Sequence, residues 1–133
     1  MPVTVIRVFQ DANGDVPLSS WRKRLLKKNK RAYAKCIARV GLLEAQGSEL
    51  RRPIADLLRD GIYELRARSG TEQHRVLYFF AEQNVAVLSN GCQKESTVSE
   101  DDIDTAIMHK KLVAKDIEKY SLSMTDWLET LDV

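Results

Sequence analysis

The sequence has few cysteines, no long apolar run and no tandem repeat. Its two cysteines, Cys36 and Cys92, lie far apart and form neither a metal-ligand spacing nor a redox motif, so two buried free thiols in a reducing cytoplasm are the simplest interpretation. No stretch of about 18 apolar residues is present, so we expect no membrane-spanning helix. The first residues lack a charged start followed by an apolar core, so we expect no secretory signal.

Motifs of several common enzyme classes are also missing. We find no glycine-rich phosphate loop, no zinc-ligand spacing and no Ser-His-Asp arrangement. What the chain does have is an uneven charge: residues 1–94 carry 17 Lys and Arg against 9 Asp and Glu, a net of +8. Residues 95–133 carry 4 against 10, a net of −6. A basic body suggests a polyanionic partner, and the acidic end is not part of that surface.

The 133 residues fit one α+β domain with a small, largely antiparallel sheet, an N-terminal helical hairpin and C-terminal helices. Two amphipathic helices are predicted after Pro17 and from about Lys30 to Gln46. Short links between the later strands favour an antiparallel meander, and Ser99 is expected to cap the helix that follows. The segment between the second helix and the meander is expected to be irregular. The predicted strands are 3–9, 61–68, 73–81 and 85–91, with one helical turn at 54–58 and a final helical segment at 121–133.

The hairpin at residues 61–81 brings two arginines together. If Gly70 and Thr71 form a two-residue turn, Arg66 lies directly opposite Arg75. Like charges at opposed positions destabilise a sheet, so the pair needs a counter-charge. One possibility is a bound phosphate, since guanidinium groups match phosphate oxygens. The other is a salt-bridge lattice in which Glu64 and Glu72 neutralise the arginines.

The same hairpin carries a family resemblance. The stretches DGIYELR at 60–66 and HRVLYFF at 74–80 resemble the central hairpin of the HigB-like, phage-derived branch of the RelE/ParE toxin superfamily. Ala34-Lys35, the stretch LRRP at 50–53, and the strand VLSNG at 87–91 leading to Lys94 are similar to that branch as well. The resemblance covers roughly residues 3–115. It assigns residues 1–120 to a RelE/HigB-like toxin domain and leaves 121–133 as a C-terminal helical extension.

This resemblance implies a cytoplasmic toxin of a type II toxin–antitoxin system that cleaves mRNA on the ribosome without a metal or other cofactor. It implies a helix-turn-helix antitoxin as partner. Carried onto this chain, Arg66 and Arg75 would bind the scissile phosphate, Lys94 would add a further basic group, and His74 is a candidate acid or base. Tyr63 and Tyr78 are expected to belong to the core.

The sequence departs from these relatives after the last strand. Relatives carry an aromatic residue, paired lysines and a basic stretch with a proline, whereas residues 92–98 read CQKESTV and Glu95 reverses a charge. One alternative is therefore a catalytically weak or inactive family member that binds RNA or an antitoxin. Another follows the ParE branch, which poisons DNA gyrase without cutting RNA.

Two further segments have two interpretations each. The basic run is either a solvated helix face or a contact for ribosomal RNA, which would be salt-dependent. Its predicted RNA-binding residues are Arg22, Lys23, Lys27, Lys28, Lys30 and Arg31. In the C-terminal segment, an apolar stripe either docks onto the domain's own sheet or forms a homodimer or antitoxin contact. That stripe consists of Met124, Trp127, Leu128 and Leu131.

Overall fold

The computed structural model describes residues 3–92 and 98–130. In chain order its elements are β1 (Val5–Phe9), α1 (Pro17–Lys28), α2 (Lys30–Gln46), β2 (Ala55–Arg59), β3 (Ile62–Ser69), β4 (Glu72–Glu82), β5 (Val85–Cys92), α3 (Glu100–Lys115), β6 (Ser121–Ser123) and α4 (Met124–Glu129). Within those two ranges, every helix is too short or too polar to traverse a lipid bilayer.

The strands form one six-stranded sheet in the order β2-β3-β4-β5-β1-β6. The β3-β4-β5 meander is antiparallel, as its short links predict. β1 pairs with β5 in parallel, and the two strands are separated along the chain by α1, α2 and the three strands β2, β3 and β4, since a parallel pair needs a long connection. The predicted α+β class with a largely antiparallel sheet is confirmed.

Two apolar layers cover the sheet. On one face, α1 and α2 pack through Trp21, Leu25 and Leu43 onto alternate strand residues such as Leu65. On the other face, α3 packs through a second cluster that contains Ile62, Leu77, Phe79, Ile103 and Val113. Alternate residues of β3 and β4 therefore face different helices, which decides where each polar side chain of the hairpin points.

The two thiols and the Ser99 cap take the places predicted for them. Cys36 and Cys92 are both free and buried, and burial raises the pKa of Cys36 to about 12. Ser99 accepts a hydrogen bond from the Asp102 amide at 3.1 Å and caps α3. Asn29 links α1 to α2, and its side chain accepts from the Ala32 amide at 3.0 Å.

The prediction for residues 54–58 is wrong. The segment forms β2, which pairs antiparallel with β3 and lies at one edge of the sheet. Asp60 and Gly61 make the turn between them with φ values of 52° and 78°. Asp-Gly with two positive φ angles is a strong signal for a tight hairpin, and a helical turn at 54–58 would not provide the pairing edge that β3 uses.

The C-terminal segment is helical only in part. Residues 121–123 form β6, which pairs antiparallel with β1 and closes the other edge of the sheet, and α4 follows. Trp127 is fully buried in the same cluster as Trp21, so the segment docks onto its own domain. Leu131 lies outside the described residues. The division of the chain at residue 120 stays a prediction.

Candidate functional site

The paired arginines lie side by side on the α3 face of the sheet. The β3–β4 register places Arg66 opposite Arg75, as predicted from the two-residue turn. Both residues lie on the same face as Ile62 and Leu77, which pack under α3. Arg75 is 8% exposed, whereas the side chain of Arg66 is 29% exposed. The pair therefore has a buried member and a member that reaches solvent.

Glu64 joins the two guanidinium groups. Its Oε1 accepts from Arg75 Nε at 2.8 Å and from Arg66 Nε at 3.1 Å. Its Oε2 accepts from Arg66 Nη2 at 3.3 Å. The Glu64 residue is 4% exposed, so this is a buried, charge-assisted contact. Hydrogen bonding to the Glu64 carboxylate raises the pKa of Arg66. Glu64 thus acts as one of the two counter-charges predicted for the arginine pair.

A second carboxylate flanks the exposed side of the pair. Asp56 Oδ2 lies 3.7 Å from Arg66 Nη2 and 2.9 Å from Arg52 Nη2. The hydrogen bond from Arg52, with a smaller electrostatic contribution from Arg66, holds the pKa of the Asp56 carboxyl below its usual value. The β2 edge therefore links Arg52 to the arginine pair through one carboxylate.

A pocket of about 290 Å³ opens over the pair between β3, β4 and the start of α3. Its charged lining consists of Arg59, Glu64, Arg66, Arg75 and Glu100. Three guanidinium groups and two carboxylates line it, and three further carboxylates lie against these guanidinium groups, Asp56 at Arg66 and both Asp60 and Asp104 at Arg59. Val98 and Ile103 of the α3 end supply apolar walls. The guanidinium groups of Arg66 and Arg75 have the donors to bind an anionic group such as a phosphate beside these apolar walls.

The wall on the α3 side is fixed by an ion network. Arg59 contacts Asp60 Oδ2 at 2.9 Å, Glu100 Oε1 at 2.9 Å and Asp104 Oδ1 at 2.8 Å. Because Arg59 ends β2 and the two other carboxylates stand on α3, the network joins the sheet edge to the first turns of that helix. Lys110 Nζ adds a bond to the Asp60 carbonyl at 3.1 Å.

His74 does not join the arginine pair. It alternates to the α1–α2 face, opposite Ala67, and is 3% exposed. Its Nε2 lies 3.1 Å from Glu72 Oε1. Strand alternation puts the sheet between the imidazole and the pocket, so His74, the candidate acid or base, does not lie with Arg66 and Arg75.

The other residues named for the site are Lys94 and the two tyrosines of the hairpin. Lys94 lies outside the described residues, although the sequence places it two residues after Cys92, which pairs with Arg75 across β4 and β5. Tyr78 is 1% exposed and stacks on Tyr63 at a centroid distance of 5.3 Å, as expected of core aromatics. Burial raises the pKa of Tyr78, so its hydroxyl is a weaker proton donor.

The basic run separates into one buried and several exposed residues. Arg22 is 3% exposed, and its guanidinium donates to the carbonyls of Trp127, at 3.0 Å, and Thr130. Its predicted role as an exposed RNA contact is therefore wrong. Helical spacing explains the error, because Arg22 lies four residues after buried Leu18 and shares its face. The residues that remain on the surface are Lys23, Arg24, Lys27, Lys28, Lys30 and Arg31.

These six residues form an exposed basic patch on the α1–α2 side of the sheet, opposite the face that carries the arginine pair. Asn29 Nδ2 contacts Ser69 Oγ at 3.4 Å, and Lys35 Nζ contacts the Arg68 carbonyl at 3.0 Å. Both contacts bring the α1–α2 junction to the tip of the β3–β4 hairpin. Within residues 3–92 and 98–130, no ion pair involves the cations of the patch.

Comparison with known proteins gives one family. Residues 23–111 match the family described as Phage derived protein Gp49-like (DUF891). The matched segment begins in α1, includes the whole β2–β5 region with the arginine pair, and ends in α3. No curated protein matches the chain. Among the described residues, no cluster of His, Cys, Asp and Glu has the grouping that a metal ion needs.

Proposed function

Because the chain belongs to the Gp49-like family of phage-derived proteins, part of the RelE/ParE-like toxin superfamily, we propose that it is a HigB-like toxin. It acts as the toxin of a type II toxin–antitoxin system and cleaves mRNA on the ribosome. The cytoplasm is its site of action. Its partners are mRNA, the ribosome and a helix-turn-helix antitoxin, with a homodimer as a further assembly.

The observation that carries the nuclease proposal is the placement of Arg66 opposite Arg75 in a pocket. In the proposed reaction, a ribose 2′-hydroxyl gives its proton to water and attacks the adjacent phosphorus. The bond from phosphorus to the 5′-oxygen of the next nucleotide breaks, this oxygen takes up a proton from water, and a 2′,3′-cyclic phosphate remains. The two guanidinium groups stabilise the charge that develops on the phosphoryl oxygens. Lys94 is proposed to add a further positive charge. No metal enters this mechanism.

The exposed basic patch is proposed to hold ribosomal RNA. Its cations lie beside the tip of the β3–β4 hairpin, on the face of the sheet opposite the pocket, so an RNA that contacts both would pass around that tip. Contacts of lysine and arginine with phosphates are independent of sequence and sensitive to salt. The patch would supply affinity for ribosomal RNA, and the pocket would supply the groups that cleave mRNA.

The test is expression of the wild-type chain and of Arg75→Ala in translating cells, with message cleavage mapped by primer extension. We expect growth arrest and cleaved messages for the wild type and neither for the variant. Arg68→Ala is the matched control, because Arg68 is exposed and lies two residues beyond the contact with Glu64. Growth arrest that persists in a folded Arg75→Ala protein would contradict the site assignment.

A second candidate function is binding without catalysis. The buried Glu64 contact favours it, because a carboxylate already neutralises part of the arginine pair. Intact messages together with retained RNA or antitoxin binding would support this function over the nuclease. Blocked replication with intact messages would instead favour the gyrase-directed branch.

A further inference from the structure

Glu64 holds the two arginines through the donors that a phosphate would use. Its Oε1 accepts from the Nε of both residues, at 2.8 Å and 3.1 Å. Its Oε2 takes a second donor of Arg66, so that guanidinium is engaged along one edge. Carboxylate and phosphate oxygens fit the same guanidinium edge. An RNA phosphate that approaches these same guanidinium edges therefore meets donors that already bond Glu64.

We propose that Glu64 is a positioning residue that orients Arg66 and Arg75 and competes with the RNA phosphate for their guanidinium groups. The inference rests on the proposed RNA-directed function. Without RNA, the carboxylate offsets the repulsion of two opposed cations and keeps them from separating. With RNA, the phosphate has to displace this carboxylate or share donors with it.

This competition limits how tightly the pocket binds RNA. Glu64 is buried among the groups that it contacts, so its negative charge is poorly screened by solvent. A phosphate close to it is repelled, and part of the attraction of the arginines is cancelled. Affinity for RNA in this pocket is therefore lower than two arginines alone would give.

The experiment compares the full chain with its Glu64→Gln and Glu72→Gln variants. The glutamine at 64 retains an oxygen that accepts from the arginines, but it removes the competing charge. Glu72→Gln makes the same change in net charge on the same hairpin, next to His74 on the other face of the sheet. The probe is a short single-stranded RNA with 2′-O-methyl riboses, which cannot be cleaved by 2′-hydroxyl attack.

We expect Glu64→Gln to bind the probe several-fold more tightly than the wild type. The slope of log affinity against log salt concentration should steepen by about 0.7, the value for one additional single-stranded phosphate contact. Glu72→Gln should leave the slope unchanged. Cleavage in translating extracts, where present, should show a lower KM together with a lower kcat, because the arginines are held less firmly.

Equal or weaker binding by a folded Glu64→Gln protein, including no binding by either protein, overturns the proposal. A second measurement uses the wild type, in case the variant does not fold. In ¹⁵N-edited NMR spectra, the Nε–H signals of Arg66 and Arg75 should both shift when the probe is added, and unchanged signals overturn the competition. Failure of the nuclease proposal is read separately, as intact messages in translating cells, and does not affect these binding results.

Discussion

The guanidinium of Arg22 stacks on the indole of Trp127, with its central carbon 4.1 Å from the ring centroid. The same guanidinium bonds the carbonyls of Trp127 and Thr130 and the Thr130 hydroxyl, and the indole Nε1 donates to Ser19 Oγ at 2.8 Å. Arg22 therefore fastens α4 to α1. Arg22 belongs to the most basic segment of the chain, but its side chain stabilises the packing of α4 on α1.

Replacing Arg22 should reduce stability rather than RNA binding. We expect Arg22→Met to lower the free energy of unfolding by about 3 kcal/mol, because the variant removes a buried cation–π interaction and charged hydrogen bonds. Lys23→Met makes the same charge change at an exposed neighbour, and its effect should stay within about 0.5 kcal/mol. Urea unfolding measures both. Similar values for the two variants would contradict the structural role of Arg22.

Neutralising the exposed basic patch should weaken RNA binding without affecting the fold. For the double variant Lys28→Ala, Lys30→Ala, we expect the salt slope of binding to ribosomes to fall by about 1 for each phosphate that the protein no longer neutralises. Lys111→Ala with Lys115→Ala is the matched control, since these exposed lysines stand on α3 across the sheet. Equal reductions in the two double variants would show that net charge, not this patch, drives binding.

His109 should make the protein sensitive to acid. Burial lowers the pKa of His109 to about 4 from 6.5, while Asp11 opposes the shift. Its Nδ1 lies 2.7 Å from Ser89 Oγ, and its ring stacks on Phe9 at 3.7 Å. Below pH 6.5 the imidazole of His109 binds a proton in the unfolded chain but not in the folded chain. The free energy of unfolding therefore falls as the pH drops toward 4.

The loss of stability between pH 6.5 and 4 should be on the order of 3 kcal/mol. Urea unfolding at pH 7, 5.5 and 4 measures this loss. His109→Gln removes the titrating group and keeps a polar partner for Ser89, so its stability should vary less with pH. An equally steep pH dependence in this variant would assign the acid sensitivity to other groups.

Two glycines should respond in opposite ways to alanine. A Cβ at Gly91 would overlap the indole of Trp21, which is 2% exposed and has little room to move. We expect Gly91→Ala to lower the free energy of unfolding by about 1–3 kcal/mol. Gly41 lies within α2, and a Cβ there meets nothing within 4 Å. Gly41→Ala should raise stability by about 0.5–1 kcal/mol, and thermal unfolding of both variants checks the opposite signs.

Some features of the site were readable from the chain because they depend on local rules. The register that opposes Arg66 and Arg75 follows from a two-residue turn and strand alternation. The same alternation put His74 on the other face. The Asp60-Gly61 pair is an equally local signal, and it favours the β2–β3 hairpin over the helical turn predicted at 54–58. Helical spacing from Leu18 places Arg22 beside the buried face of α1, but it does not identify Trp127 as the residue that covers it.

By itself, the sequence determined the family, the central hairpin and the pairing of its two arginines, since these depend on motif, turn length and alternation. Only the tertiary structure decided which of the basic side chains stay exposed and unpaired enough to bind a ligand. Glu64 neutralises part of the arginine pair, and Trp127, 105 residues away along the chain, removes Arg22 from the basic surface. Burial and pairing depend on which distant elements pack together, and no local pattern specifies those contacts.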